Sequence, residues 1–91
     1  MPRLQRIITL EHRHGLHARP SMAIVETVNN FSSTVLMRHQ GHEVNAASIL
    51  ELLHLQVTNG ATLEFEADGD DAEQVLNALQ NLFARRFNLE L

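Results

Sequence analysis

The residues with the clearest capacity for chemistry lie together in Gly15-Leu16-His17-Ala18-Arg19-Pro20. An alternating pattern stops just before this stretch and a helical spacing of apolar residues begins just after it, so it reads as a loop entering a helix. Pro20 suits a first helical turn, where an N–H has no intrahelical partner. His17, Ala18 and Arg19 are therefore expected at a helix N-terminus, where unpaired N–H groups and the positive end of the helix dipole favour an anion. Arg19 adds a planar fork of donors that matches phosphate oxygens. The same field disfavours an imidazolium, and a neutral His17 ring keeps a nitrogen lone pair for attack on phosphorus. The pattern points to a phosphoryl group on His17, held by Arg19 and by the backbone of Ala18 and Arg19, and labile enough to be handed on. The plainer alternative is a histidine that caps a helix beside an ordinary surface arginine.

Six histidines also raise a metal site, because His12 and His14 flank Arg13 and alternate strand residues share a face, with His17 close by. There is no cysteine to complete a ligand set, so solvated loop histidines are the expectation, with no metal and no other cofactor. Paired carboxylates, a nucleophile with an orienting base and a glycine-rich nucleotide loop are all missing, which argues for a carrier rather than an enzyme.

Several elements must position His17. Leu4, Arg6, Ile8 and Leu10 fall on one face of Arg3 to Glu11, with Ile7 and Thr9 on the other, which predicts a strand. From Pro20 to Phe31 the residues Ile24, Val28 and Phe31 follow helical spacing, with Asn29 and Asn30 as terminators. Val35 and Met37 alternate with Thr34, Leu36 and Arg38, and Gln40 to Glu43 reads as a turn into a short strand around Val44. Ser48 and Glu51 have the spacing of a capping box, so a second, short helix begins at Ser48 and is expected to end near Asn59-Gly60. Ala61, Leu63, Phe65 and Ala67 alternate with Thr62, Glu64 and Glu66 in a half-buried strand. Asp70 and Asp71 are the expected N-cap of a last helix with the stripe Ala72, Val75, Leu76, Leu79, Leu82 and Phe83, and Arg85 and Arg86 suit its C-terminal end. The order β-α-β-β-α-β-α describes an α+β chain, one sheet covered on one face by helices and wet on the other.

In the second helix, Ile49, Leu50, Leu52, Leu53 and Leu55 spread over an arc of roughly 220° at about 100° per residue, wider than one core contact uses. Some should remain exposed as a docking patch. Ser48 reads first as an ordinary N-cap. With 91 residues the chain is expected to be a single domain, 1–91, working as a monomer. A net charge of -4 without any lysine argues against nucleic acid. No signal-like start, no cysteine and no apolar run near the roughly 18 residues of a membrane span place it in the cytoplasm, without membrane insertion.

The Gly15 to Pro20 motif resembles the active-site motif of the HPr family of the bacterial phosphoenolpyruvate-dependent phosphotransferase system. The resemblance extends through Asn45-Ala46-Ala47-Ser48-Ile49-Leu50, a turn at Gly60, the stretch Glu66-Ala67-Asp68-Gly69 and the final helix. It implies an HPr-like open-faced sandwich, a four-stranded antiparallel sheet covered on one face by three helices. It also implies a phosphohistidine at Nδ1 of His17, charged by Enzyme I from phosphoenolpyruvate and discharged to IIA domains, with Arg19 stabilising the phosphoryl group. Leu16, Ala18, Pro20 and Ser21, with Ile49, Leu50 and Leu53, correspond to the surface that meets both partners. Ser48 aligns with the serine that HPr kinase/phosphorylase modifies, where a dianion would impede docking. The chain departs from the family's common glycines at Glu51 and Gln56. The pathway served is sugar uptake or its regulation. The alternatives are a regulatory module of the nitrogen-related branch and, with less support, a metal-binding module.

Overall fold

Alternating apolar residues build an antiparallel sheet from β1 (Arg3–Thr9), β2 (Thr34–His39), β3 (His42–Asn45) and β4 (Thr62–Asp68), in the spatial order β1-β4-β2-β3. The computed structural model describes residues 3–88, so residues 1–2 and 89–91 of the expected 1–91 domain lie outside the described residues. The register sets Ile8 opposite Leu63, Met37 opposite Phe65 and Val35 opposite Ala67, all buried on one face. Three helices, α1 (Ala18–Asn29), α2 (Ile49–His54) and α3 (Ala72–Ala84), pack over that face, as the open-faced sandwich requires. The predicted stripe of α3 is buried throughout, and Phe83 meets Phe65 edge to face at 5.7 Å between ring centroids. At the edge of this face the Arg6 guanidinium passes the core and donates to Asn77 Oδ1 at 2.6 Å and Gln80 Oε1 at 3.0 Å on α3.

The outer face is polar. Arg38 donates to Glu43 at 2.8 Å and to Glu66 at 2.9 Å, and Gln5 Nε2 donates to Glu66 at 3.0 Å. Arg3 lies 3.2 Å from the same carboxylate, on a side chain that is 10% exposed. The bond from Gln5, then Arg38, holds the Glu66 carboxyl below its usual range. Arg3 and Glu43 are well exposed, so water screens much of this network, whereas each fully buried leucine or phenylalanine contributes about 1.5–3 kcal/mol. The inner face therefore decides stability, and the outer network keeps the wet face from acting as a second apolar surface.

Several local expectations are corrected. Helix α1 runs from Ala18 to Asn29, two residues earlier at each end than the stretch from Pro20 to Phe31, with Pro20 in its first turn as expected. Helix α2 ends at His54, well before Asn59-Gly60, because Gln56 turns left-handed at φ 54° and sends the chain across to the β1–α1 loop. Ser48 Oγ does accept from Glu51 N at 3.4 Å, but the Glu51 carboxylate accepts from Asn45 N at 3.0 Å instead of closing the capping box. Asp71 stands at the N-cap of α3 without capping it. Its carboxylate accepts instead from Ser32 N at 2.8 Å, from Ser33 N at 2.9 Å and from the Ser33 hydroxyl, tying the loop after α1 to the start of α3. Arg85 caps the end of α3, whereas Arg86 has left the helix for a left-handed turn, Arg86–Asn88.

The Ser33 hydroxyl and the Ser32 backbone bond hold the Asp71 carboxyl below its usual value of 3.8. A carboxyl depressed on folding adds stability above its unfolded pKa and loses it as pH falls through the folded one. Asp71→Asn is therefore expected to lower Tm near neutral pH and to leave a shallower loss below about pH 4, read by thermal unfolding followed across pH. An equal drop at pH 3 and pH 7 would count against the assignment.

Candidate functional site

His17 is the N-cap of α1, in extended backbone at φ -88° and ψ -164°. Its carbonyl accepts from Ser21 N at 3.1 Å, the first bond of the helix, and its side chain makes no capping bond. The capping-histidine alternative therefore fails, and the ring is left for other use. Pro20 has no N–H, and the N–H groups of Ala18 and Arg19 have no protein partner among the described residues. The end of a twelve-residue helix thus offers two directed donors beside the imidazole. Arg19 is exposed and makes no ion pair or side-chain hydrogen bond among the described residues, so its guanidinium is at liberty to meet an anion there.

The loop that presents His17 is held from below. Leu10 N donates to Ala61 O and Gly60 N donates to Leu10 O, both at 2.8 Å, and Leu16 N donates to Val57 O at 2.9 Å. His12 N donates to Asn59 Oδ1 at 3.1 Å, and Gly15 N closes a turn on His12 O at 2.9 Å. Gly15 is left-handed at φ 71°, and a Cβ on it would collide with Val57 O. Only glycine lets the two loops approach this closely.

The ring of His17 is half-buried, with Nε2 shielded from solvent and without a partner among the described residues. His12 lies 5.1 Å away between ring centroids and His14 5.8 Å away. Burial, then the nearby His17 and His14, push the His12 imidazole below its usual 6.5. Although these three rings cluster, no group of three or more ligating side chains among the described residues is arranged to hold a metal ion.

The remaining residues singled out by sequence divide into two groups. Leu16, Pro20 and Ser21 are buried, and the Ser21 hydroxyl donates to Leu16 O at 3.4 Å. They brace the loop from within, and of the three Leu16 also lines the groove beside His17. Ala18 and Leu50 are exposed, Ile49 and Leu53 are half-buried, and Leu52 is the buried anchor of α2. Leu53 shares a shallow groove with His14, Leu16, His17, Gln56, Val57 and Thr58. Leu50 borders a separate groove with Val44 and Leu55, on the β3 side of α2. Met22, one turn after Ala18, is also exposed and extends the apolar surface of α1. Its i+4 spacing from Ala18 was the signal available in the sequence. Ser48 is half-buried at the N-cap of α2, with its hydroxyl engaged.

Residues 4–85 match the family described as "PTS HPr component phosphorylation site". The phosphocarrier protein HPr of Xylella fastidiosa is 35% identical over 85 residues, covering 93% of this chain and 96% of that protein. The phosphocarrier protein NPr of Proteus mirabilis is 37% identical over 84 residues, covering 91% and 93%. A crystal structure of HPr from Thermoanaerobacter tengcongensis superposes with a TM-score of 0.84 at 35% identity over the whole of both chains. The chain belongs to the HPr family of phosphotransferase-system phosphocarriers, in agreement with the resemblance carried by its histidine motif.

The support beneath His17 can be tested at two backbone positions. Gly15→Ala is expected to destabilise by roughly 2–4 kcal/mol, from the positive φ together with the clash at Val57. Gln56→Gly removes a left-handed side chain and is expected to gain up to about 1 kcal/mol. Urea unfolding of the two variants reads both signs.

Proposed function

We propose that this chain takes a phosphoryl group onto His17 from Enzyme I, with phosphoenolpyruvate as the source, and passes it to IIA domains. The observation that carries the reading is His17 standing at the start of α1 with its side chain unused for capping, beside the unpartnered N–H groups of Ala18 and Arg19. The lone pair of a ring nitrogen attacks phosphorus, the P–N bond forms as the donor's bond breaks, and the same exchange runs onward to the acceptor. The shielding of Nε2 favours Nδ1 as the attacking atom, as the family resemblance implies. The two backbone donors and the Arg19 fork hold the phosphoryl oxygens without a metal or cofactor.

Docking falls to exposed Ala18, Met22 and Leu50 with half-buried Ile49 and Leu53, apolar residues on α1 and α2 suited to brief contact with one partner and then the other. In this reading residues 1–91 form one domain, which acts as a cytoplasmic monomer without nucleic acid. Among the described residues no helix is long and apolar enough to cross a membrane. Ser48 serves first as an N-cap. Its phosphorylation by an HPr kinase/phosphorylase would set a dianion in the same turn as the Glu51 carboxylate and beside Ile49, impeding docking. A second use, as a regulatory module of the nitrogen-related branch, is favoured by the Proteus mirabilis relative named NPr. The carrier chemistry is common to both.

Incubation with phosphoenolpyruvate and Enzyme I is expected to add one acid-labile phosphoryl group by intact mass, and none to His17→Ala. Arg19→Ala is expected to slow charging by roughly 10- to 100-fold, the loss of a charge-assisted hydrogen bond. Charging of His17→Ala equal to wild type would overturn the reading. Running Enzyme I of the sugar and of the nitrogen branch side by side assigns the pathway.

A further inference from the structure

His12 is 2% exposed, and neither of its ring nitrogens has a partner among the described residues. A neutral imidazole carries one donor and one acceptor, so leaving both unpaired inside a protein is unfavourable unless some state of the molecule uses them. The backbone on either side is pinned by the bonds to Asn59 Oδ1 and from Gly15 N, which hold the ring in place. It lies 5.1 Å from His17 and 6.2 Å from His14, and meets Phe87 edge to face at 5.9 Å. Glu11 and Arg13 from its own loop, Asn59 from the loop before β4 and Arg86 after α3 share the neighbouring cleft. Of the charged groups around it, the one whose charge changes during phosphoryl carriage is His17.

We propose that His12 is a positioning residue for the carrier reaction. It is neutral while His17 is free, and takes a proton from solvent when His17 holds the phosphoryl dianion, becoming that dianion's buried counter-charge. The inference rests on the phosphocarrier reading of His17. In the free protein, burial and two neighbouring imidazoles oppose a charge on His12. A dianion placed on the adjacent ring reverses the sign of the local field, and the short separation and low polarity of the site strengthen its effect. The loaded state then binds one more proton than the free state, so lower pH favours loading. Between the two His12 pKa values this contribution reaches up to about tenfold per pH unit.

The test is a pH titration of the histidine rings by NMR on the unaltered protein, with His12 assigned from its contact with Phe87. It is run free and with His17 loaded, either by Enzyme I or by phosphoramidate, which transfers its phosphoryl group to the ring nitrogen and releases ammonia. His12 is expected to titrate at least about one pH unit higher in the loaded protein. The equilibrium of charging by Enzyme I is expected to show a shallower pH dependence in His12→Asn. A His12 titration that stays in place on loading would overturn the proposal, whatever happens to the variant. If phosphoramidate loads His17 and Enzyme I does not, the partner reading fails while the His12 shift is still read.

Discussion

The structure turns on the close apposition of two loops, residues 10–16 after β1 and residues 57–61 before β4. Leu10 and Leu16 exchange backbone bonds with Gly60, Ala61 and Val57, and Gly15 lies so near Val57 that no side chain fits between them. Everything that gives His17 its place follows from this seam. Strand β1 must run antiparallel to β4 for Leu10 to meet Ala61, and α2 must stop at His54 so that Val57 can reach Leu16. The first turn of α1 is then launched from a fixed point, with Ser21 bonded back to Leu16 beneath it. A ring on an otherwise free loop would lose much of this fixed orientation.

Two forms of satisfaction serve the rest of the molecule. Apolar burial between the inner face of the sheet and the helices supplies the driving force, while buried polar groups are answered by distant partners. Glu66 is almost enclosed yet surrounded by Gln5, Arg3 and Arg38, and Asp71 is spent on the serines that end the α1–β2 connection. The exceptions are histidines: His17 Nε2 and His39 Nδ1 have no partner among the described residues, and His12, beside His17, has both ring nitrogens unanswered.

Much of this was legible in the sequence, for physical reasons. Residues 61–67 and the stripe of α3 show one clean period each, and a clean period leaves little choice of face. Pro20 fixed a helix start within two residues, which was enough to put His17 at its mouth. The family motif then agreed with that placement. What was not legible depends on partners far along the chain. Asp71 has the type and position of an N-cap, and only the fold brings Ser32 and Ser33, 39 and 38 residues away, close enough to claim it. Gln56 gives no local sign of a left-handed turn, since the demand for it comes from the seam with Leu16. Leu16, Pro20 and Ser21 adjoin His17 in sequence but are buried, a distinction that residue type does not carry. The burial of His12 was within reach, because it continues the inward parity of Ile8 and Leu10, yet a histidine in a loop reads more readily as solvated.

The central position of β4 also governs when the chain can fold. It is the strand to which both β1 and β2 are bonded, and it occupies residues 62–68, so the amino-terminal half of the chain has only the β2–β3 hairpin as a local sheet contact. As the chain leaves the ribosome, the histidine loop is synthesised long before the segment that will hold it, and until residues 57–68 emerge it has nothing to lean on. Pairing of strands so far apart in the chain is slow compared with helix formation. The histidine loop is therefore among the earliest parts of the protein to be made and among the last to be shaped, which ties its final geometry to completion of the sheet.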